Sequence, residues 1–387
     1  MHIGIAGAGL LGRLLAFELT RAGHTVEVFD PAPGPLPPVD SRTPYAAGWT
    51  AAGMLSPTAE LESADANVFE LGLRSLALWP GIVAALGLPV ELQQRGSLLL
   101  AHRGDEGAAK RVVDLLLHKA PAGHAPTALT MAELAGLEPD MHGAAHAWLL
   151  PHEGHIHTVP AMTALADTAT AKGAVWHWGV AVQRLAAGEI HIAGKVHHFD
   201  CVFDVRGTGA RTAGDSGECL GRDVRGVRGE IIWLHAPGVA LQRPVRLLHP
   251  RHRVYLVPRE GDHIVVGASE IESEDRSPIS LRSMVELLAA AHSIMPGLAE
   301  ARIVHTETNL RPALPDNLPR LVQEPGLVQI NGLFRHGWLI APALVEQAME
   351  NLAPHSACHP DLIGDPCHMN QRRGPPAWIA GQAGNDI

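Results

Sequence analysis

Aromatic side chains make up only 4% of the 387 residues, and just two of them are tyrosines, Tyr45 and Tyr255. Any role that needs a phenol therefore falls on one of two positions. Positive charge is also short. Lys+Arg 30 against Asp+Glu 40 leaves a formal net charge of −10. No basic run or aromatic-basic interleave offsets it, so nucleic acid is not an expected partner. Four cysteines, Cys201, Cys219, Cys358 and Cys367, do not make a disulfide framework in a chain this long. No basic flank or cleavage site accompanies the first apolar segment, so no signal peptide is read there. The longest uncharged stretch, Ser75 to Val90, is interrupted by Pro80, Gly81, Gly87 and Pro89 and is too short for a bilayer span. These absences predict a soluble cytoplasmic protein, with homo-oligomerisation left open.

What is present is ordinary globular material. The chain is 46% hydrophobic and 18% charged, enough for two or three domains at about 150 residues each. Ile3, Ile5 and Ala6 read as a buried strand, Leu10 to Leu19 as a helix stopped by Gly23, and Thr25 to Phe29 as a second strand ending at Asp30. Pro31 to Pro44 reads as an exposed loop. Further strands are expected at Val90–Ala101, Ala174–Trp178, Val180–Leu185 and Lys195–Val205. Helices are expected at Glu106–His118, Thr158–Lys172 and Ser280–Ser293. The block Arg225–Glu270 is dense in alternating strands and suits an antiparallel sheet. A strand Gly326–Ile330 and a helix running to about Asn351 close the ordered part. Arg311, just before Pro312, falls in a segment that reads as irregular.

Glycines at 7, 9 and 12 sit between the first strand and its helix. In a dinucleotide fingerprint the first permits the tight turn. The second lets a pyrophosphate approach the backbone, and the third lets helix and strand pack closely. The helix N-terminus then offers unpaired N–H groups to phosphate. Asp30 stands where a carboxylate can accept from a ribose, which disfavours a 2′-phosphate and hence NADP. FAD and NAD share this pattern. A second small, glycine-containing stretch, Trp49 to Pro57, can approach another part of a long cofactor or can be a surface turn.

In this order, four stretches resemble the D-amino-acid oxidase superfamily of FAD-dependent oxidoreductases, and most closely its glycine oxidases of thiamine-thiazole biosynthesis. They are the glycine fingerprint; Thr50-Ala51-Ala52-Gly53-Met54-Leu55; Val254 to Arg259 with Val265 to Ala268; and Asn309 to Pro312 with Gly332 to Pro342. The resemblance spans about residues 1 to 350. It implies an α/β fold, with a Rossmann-like FAD-binding domain interrupted by an α+β substrate domain built on a mainly antiparallel sheet. The implied division is 1–85, 150–220 and 305–355 for FAD, 86–149 and 221–304 for substrate, and 356–387 as a tail.

Carried over by position, the resemblance implies FAD contacts at Gly7, Gly9, Leu11, Gly12, Asp30, Thr50, Ala51, Ala52, Met54, Val180 and Gly207. Gly332, Arg335, His336, Gly337, Trp338 and Leu339 would border the flavin ring. It points to Arg311 for a substrate carboxylate, with Tyr255 and Arg335 beside it. Chemically this is coherent. A guanidinium holds a carboxylate through paired N–H···O bonds, a phenol adds a third, and no side-chain base is needed for hydride departure from an amine carbon. The implied reaction gives an imine that hydrolyses, with oxygen or another acceptor reoxidising the cofactor. A hydroxy acid or secondary amine with a different acceptor is a second reading, and a flavin protein without turnover a third.

The chain departs from the family in several places. Arg311 is followed by Pro312-Ala313-Leu314-Pro315 rather than a glycine-rich run, His336 and Trp338 are bulky, and Glu270 brings an acid near the pocket. Two histidine groups, His152/His155/His157 and the tail set His355, Cys358, His359, Cys367 and His368, have ligand types zinc accepts without a recognised spacing, so no metal is expected.

Overall fold

A computed structural model describes residues 1–38, 43–211, 220–249, 253–350 and 352. Its first layer is a six-stranded sheet in the order Arg320–Glu324, Leu327–Asn331, Cys201–Asp204, His2–Ala6, Thr25–Asp30 and Val175–Trp178. All pairs are parallel except the first. Parallel strands covered on both faces need uninterrupted apolar residues, and Ile3, Ile5, Val26, Val202 and Phe203 are fully buried accordingly. The helix Leu10–Arg21 packs on this sheet, and Gly12 permits it, because a Cβ there would run into the Gly7 carbonyl oxygen.

The second large sheet has eight strands, from Arg302–Ala313 through Arg225–His235, His263–Gly267, Arg253–Arg259 and Val245–Leu248 to Ser97–Ala101, His146–Leu150 and Thr127–Leu129. Every pair is antiparallel except Val245–Leu248 with Ser97–Ala101. The two layers are those of an α/β fold with a mainly antiparallel second sheet. Among the described residues, no helix is long and apolar enough to cross a membrane.

Several expected strands divide. Val90–Ala101 splits into Leu92–Gln93 and Ser97–Ala101, because Gly96 takes a left-handed φ of +82° between them. Lys195–Val205 splits at Phe199-Asp200, where the Phe199 N–H turns to the Gly188 carbonyl and the Asp200 N–H to the His2 carbonyl. Lys195–His198 then joins a small antiparallel sheet, and Cys201–Asp204 joins the parallel one. The strand expected at Val180–Leu185 is confined to Arg184–Ala186. Arg311 is not in an irregular segment: it lies in the long strand Arg302–Ala313, opposite Val227.

Ser75–Val90 hides the first half of a finding. Residues Ala66–Ala84 form one 19-residue helix, opened by Asp65 capping the Val68 N–H and containing Pro80. Proline removes the N–H that would bond four residues back. The freed Leu76 carbonyl accepts instead from Gln94 Nε2 at 2.8 Å. The last helix, Gly337–Glu350, contains Pro342, and its freed Trp338 carbonyl accepts from Trp79 Nε1 at 3.1 Å. The two indoles also stack, with centroids 5.5 Å apart. One helix thus completes the backbone of the other. Trp79→Phe should keep the stacking but orphan that carbonyl, lowering stability by about 1–3 kcal/mol in urea unfolding, whereas an unchanged midpoint would show that the bond is dispensable.

Candidate functional site

A cavity of about 1200 Å³ runs from the glycine turn to the inner face of the large sheet. It exceeds the roughly 300–1,000 Å³ of ordinary small-molecule pockets and leaves room for a long cofactor with a small substrate. Gly7, Gly9, Leu11 and Asp30 line one end. Gly7 has φ +106°, and a Cβ on it would stand 2.7 Å from the Val205 carbonyl oxygen. A Cβ on Gly9 would meet nothing nearer than Ala46 at 3.5 Å, so this stretch of backbone is open to a ligand.

The helix Leu10–Arg21 starts at Gly9 without a side-chain cap. Its first N–H groups therefore face the cavity end with the positive end of the helix dipole behind them. Asp30 accepts the Ala8 N–H at 2.6 Å on Oδ2 and the Ala32 N–H at 2.8 Å on Oδ1. Each oxygen retains capacity for a hydroxyl donor. These features fit a dinucleotide such as FAD.

Thr50, Ala51, Ala52 and Met54 line the middle, with Gly207 opposite. The turn they form is held by Gly53 at φ +65°, whose Cβ would collide with the Ile156 carbonyl oxygen. It is also held by Arg259, a buried guanidinium donating to the Ala52 carbonyl at 2.5 Å and to the Pro258 carbonyl at 2.8 Å. His336, Gly337, Trp338 and Leu339 line the wall at the start of the last helix, and Trp338 Nε1 donates to the Gly48 carbonyl at 3.0 Å. Three expected contact residues lie off the cavity wall. Gly12 serves helix–strand packing, Val180 donates its N–H to the Asp30 carbonyl at 2.9 Å, and Gly332 takes φ +77° against Leu314.

At the far end, Arg311, Tyr255 and Arg335 share the cavity. The Arg311 guanidinium lies across Gly229, where a Cβ would stand 2.5 Å from it. Its Nη1 donates to the carbonyls of Arg228 at 3.3 Å and Ser269 at 3.1 Å. Among the described residues no carboxylate makes an ion pair with Arg311. Burial pulls its pKa below the usual arginine value, with Tyr255, Glu270 and Glu60 acting in the opposite direction. The Tyr255 ring lies over Gly267, and burial pushes its phenol up, so it stays a neutral donor.

Arg335 is differently placed from Arg311. Its Nε donates to Glu60 at 2.9 Å, its Nη1 to Glu270 at 3.2 Å and its Nη2 to Ser63 Oγ. Glu60 also accepts from Arg246 Nη2 at 2.7 Å, and its Oε2 stands 3.2 Å from His336 Nδ1 without hydrogen-bond alignment. Burial pushes the Glu60 carboxyl up, but Arg246, Arg335 and His336 more than offset this and hold it well below the usual carboxylate range. Glu60 and Arg246 are the functional residues that sequence reasoning missed. Neither sits in a motif, and they lie 186 residues apart in sequence.

Of the histidines considered for metal, His355 and His359 with their cysteines and His368 lie outside the described residues. His155 is buried 3.6 Å from Glu91. His157 precedes the helix Thr158–Ala171, and His152 packs on His124.

Because the folded-state pKa of Glu60 is depressed, its stabilisation is fully present above the unfolded value of about 4.5 and is lost as pH falls through the folded one. Glu60→Gln should cost about 3–5 kcal/mol near neutrality, as expected when one partner of a buried ion pair is removed. That deficit should shrink as thermal unfolding is repeated from pH 7 towards pH 3. A deficit independent of pH would mean that packing, not charge, was lost.

The model of the family described as FAD dependent oxidoreductase matches residues 2–349. A thiamine biosynthesis oxidoreductase ThiO of Rhizobium etli is 36% identical over 353 residues, covering 91% of this chain and 96% of that protein. The crystal structure of glycine oxidase from Geobacillus kaustophilus superposes with a TM-score of 0.76 at 24% identity, covering 90% of this chain and 93% of that one. That of iminodiacetate oxidase from Chelativorans sp. BNC1 gives 0.73 at 25% identity, covering 89% and 93%. This chain belongs to the D-amino-acid oxidase family of FAD-dependent oxidoreductases.

Proposed function

We propose that this FAD-dependent oxidoreductase oxidises the carbon–nitrogen bond of a small amino acid or amine that carries a carboxylate. The observation that carries the reading is Arg311: a half-buried guanidinium that opens on the cavity, bonded to two carbonyls and, among the described residues, to no carboxylate. A buried cation without an anion is costly, and an incoming carboxylate removes that cost while accepting two parallel N–H bonds. Tyr255, a neutral phenol on the same wall, adds a third bond and limits rotation of the bound anion.

With the carboxylate fixed, the substrate's α-carbon is held at one distance from the wall formed by Ala51, Ala52 and Met54. Thr50, Ala51, Ala52 and Met54 would hold FAD along that wall, where it would supply the hydride acceptor. The amine lone pair becomes the second bond of an imine as the hydride leaves, and water hydrolyses the imine to a carbonyl compound and an amine. No side chain needs to take a proton from carbon. The residues contribute position and exclusion of water. The two electrons pass on to oxygen, giving peroxide, or to another acceptor. The relatives named for glycine oxidation and thiamine biosynthesis support glycine-sized substrates, and a cytoplasmic location accords with the cysteine usage.

Anaerobic mixing of the purified flavoprotein with glycine, sarcosine and small D-amino acids should bleach the oxidised flavin for at least one of them. Arg311→Ala should raise KM by an amount equivalent to about 2–5 kcal/mol, with the bound flavin retained. Bleaching by none of these amines, or an unaltered KM in the variant, would reject the reading.

A further inference from the structure

We propose that Arg246 forms a second anion site in the same cavity, so that the preferred substrate is an amino acid bearing a second carboxylate. The inference rests on the proposed function, since it extends the same substrate away from Arg311. Its basis is a charge imbalance on one wall.

Val245–Leu248 pairs with Arg253–Arg259 so that Arg246 stands directly opposite Tyr255, and both side chains line the cavity. Directly opposite residues project to the same face of a sheet. The next strand presents Gly267 opposite Tyr255, leaving room for the phenol, and Arg311 lies beyond. Tyr255 is thus flanked by two guanidinium groups, with Arg246 on one side and Arg311 on the other.

Compensation is unequal among the three arginines of this wall. Arg335 engages Glu60, Glu270 and Ser63 at once and has little left for a ligand. Arg246 has only one oxygen of Glu60, whose other oxygen is committed to Arg335. Its Nε is buried and unpartnered. Glu153, the other acid in its neighbourhood, has its pKa raised by burial against the pull of Arg246, and its oxygens already accept from the Ala59 N–H and Ser97 Oγ. Glu60 and Glu270 are thus the carboxylates paired on a wall that carries three guanidinium groups, and Arg246 spends one nitrogen on Glu60 while its Nε stays unpartnered.

The whole cavity shows the same bias. Among the described residues, eight arginines and five acidic side chains line it, in a chain whose formal net charge is −10. At the glycine end Arg206 is ion-paired with Asp204 behind the lining, so it adds nothing to that bias. A zwitterionic amino acid brings one negative charge for Arg311. It leaves Arg246 as it was. A second carboxylate reaching past Tyr255 would share the Arg246 guanidinium with Glu60.

Iminodiacetate and its monoamide, N-(carbamoylmethyl)glycine, differ in that one charge and little in shape. Anaerobic reduction of the wild-type flavoprotein should give the diacid a kcat/KM at least about tenfold above the amide. Arg246→Gln should lower that ratio towards unity, and Arg246→Lys should restore part of it. Raised salt should weaken the diacid more than the amide. A wild-type ratio below about threefold alongside flavin reduction by glycine or the amide would overturn the second site while leaving the proposed function standing. A high ratio that survives in Arg246→Gln would equally overturn the role of Arg246. Flavin left oxidised by every amine would instead sink the proposed function and this inference with it. If the Arg246→Gln variant does not fold, Arg246→Lys and the salt dependence of the wild-type ratio carry the test.

Discussion

One carboxylate sets the character of the substrate end. Glu60 lies in a low-dielectric wall between Arg246 and Arg335, and the attraction of those cations outweighs the penalty of burying it. The same arrangement fixes the outer edge of the cavity, because Arg335 in turn draws in Glu270 and Ser63. What Glu60 does not reach is as important. Arg311 remains with two carbonyl oxygens for partners, and its unmet charge makes the cavity receptive to anions. Arginine is the side chain suited to this task, since it stays charged when buried and presents its donors in a rigid fork.

The opposite end works through backbone rather than side-chain charge. Glycines at 7 and 9 keep the chain close and bare, and the uncapped helix behind them offers N–H groups that only a ligand or water can satisfy. Between the two ends, the Ala51–Met54 turn is held by Gly53 and by the buried Arg259. The pair of proline-containing helices braces the wall that carries Trp338. A cofactor seated along this line would touch segments from the start, middle and end of the chain, which explains why the motifs are scattered in sequence.

Much of this was legible from residues alone. The strand, glycine turn, helix and acid of residues 3–30 are local features, and each has a single physical meaning. The alternation in Arg225–Glu270 likewise anticipates its antiparallel strands. The helix Ala66–Ala84 was not legible, because Gly72, Pro80 and Gly81 look like breaks. The compensating donor, Gln94, sits on a different element. Arg311 needed the resemblance to stand out: Pro312 masks its strand, and no local spacing marks a guanidinium lacking an anion. Glu60 and Arg246 were invisible for the same reason. Their significance is a charge balance across elements 186 residues apart in sequence. The scarcity of tyrosine proved informative, since Tyr255 faces the cavity beside Arg311, while Tyr45 donates to Glu307 at 3.2 Å on another part of the wall.

The central question is whether the Arg311 guanidinium receives a carboxylate in the FAD-loaded enzyme. Titrating the holoenzyme with acetate, which cannot be oxidised by hydride loss from an amine carbon, isolates that binding from turnover. The visible flavin bands should shift saturably, and Arg311→Met should abolish the shift while retaining the cofactor. Acetate that leaves the bands unmoved, or moves them equally in the variant, would contradict the assignment.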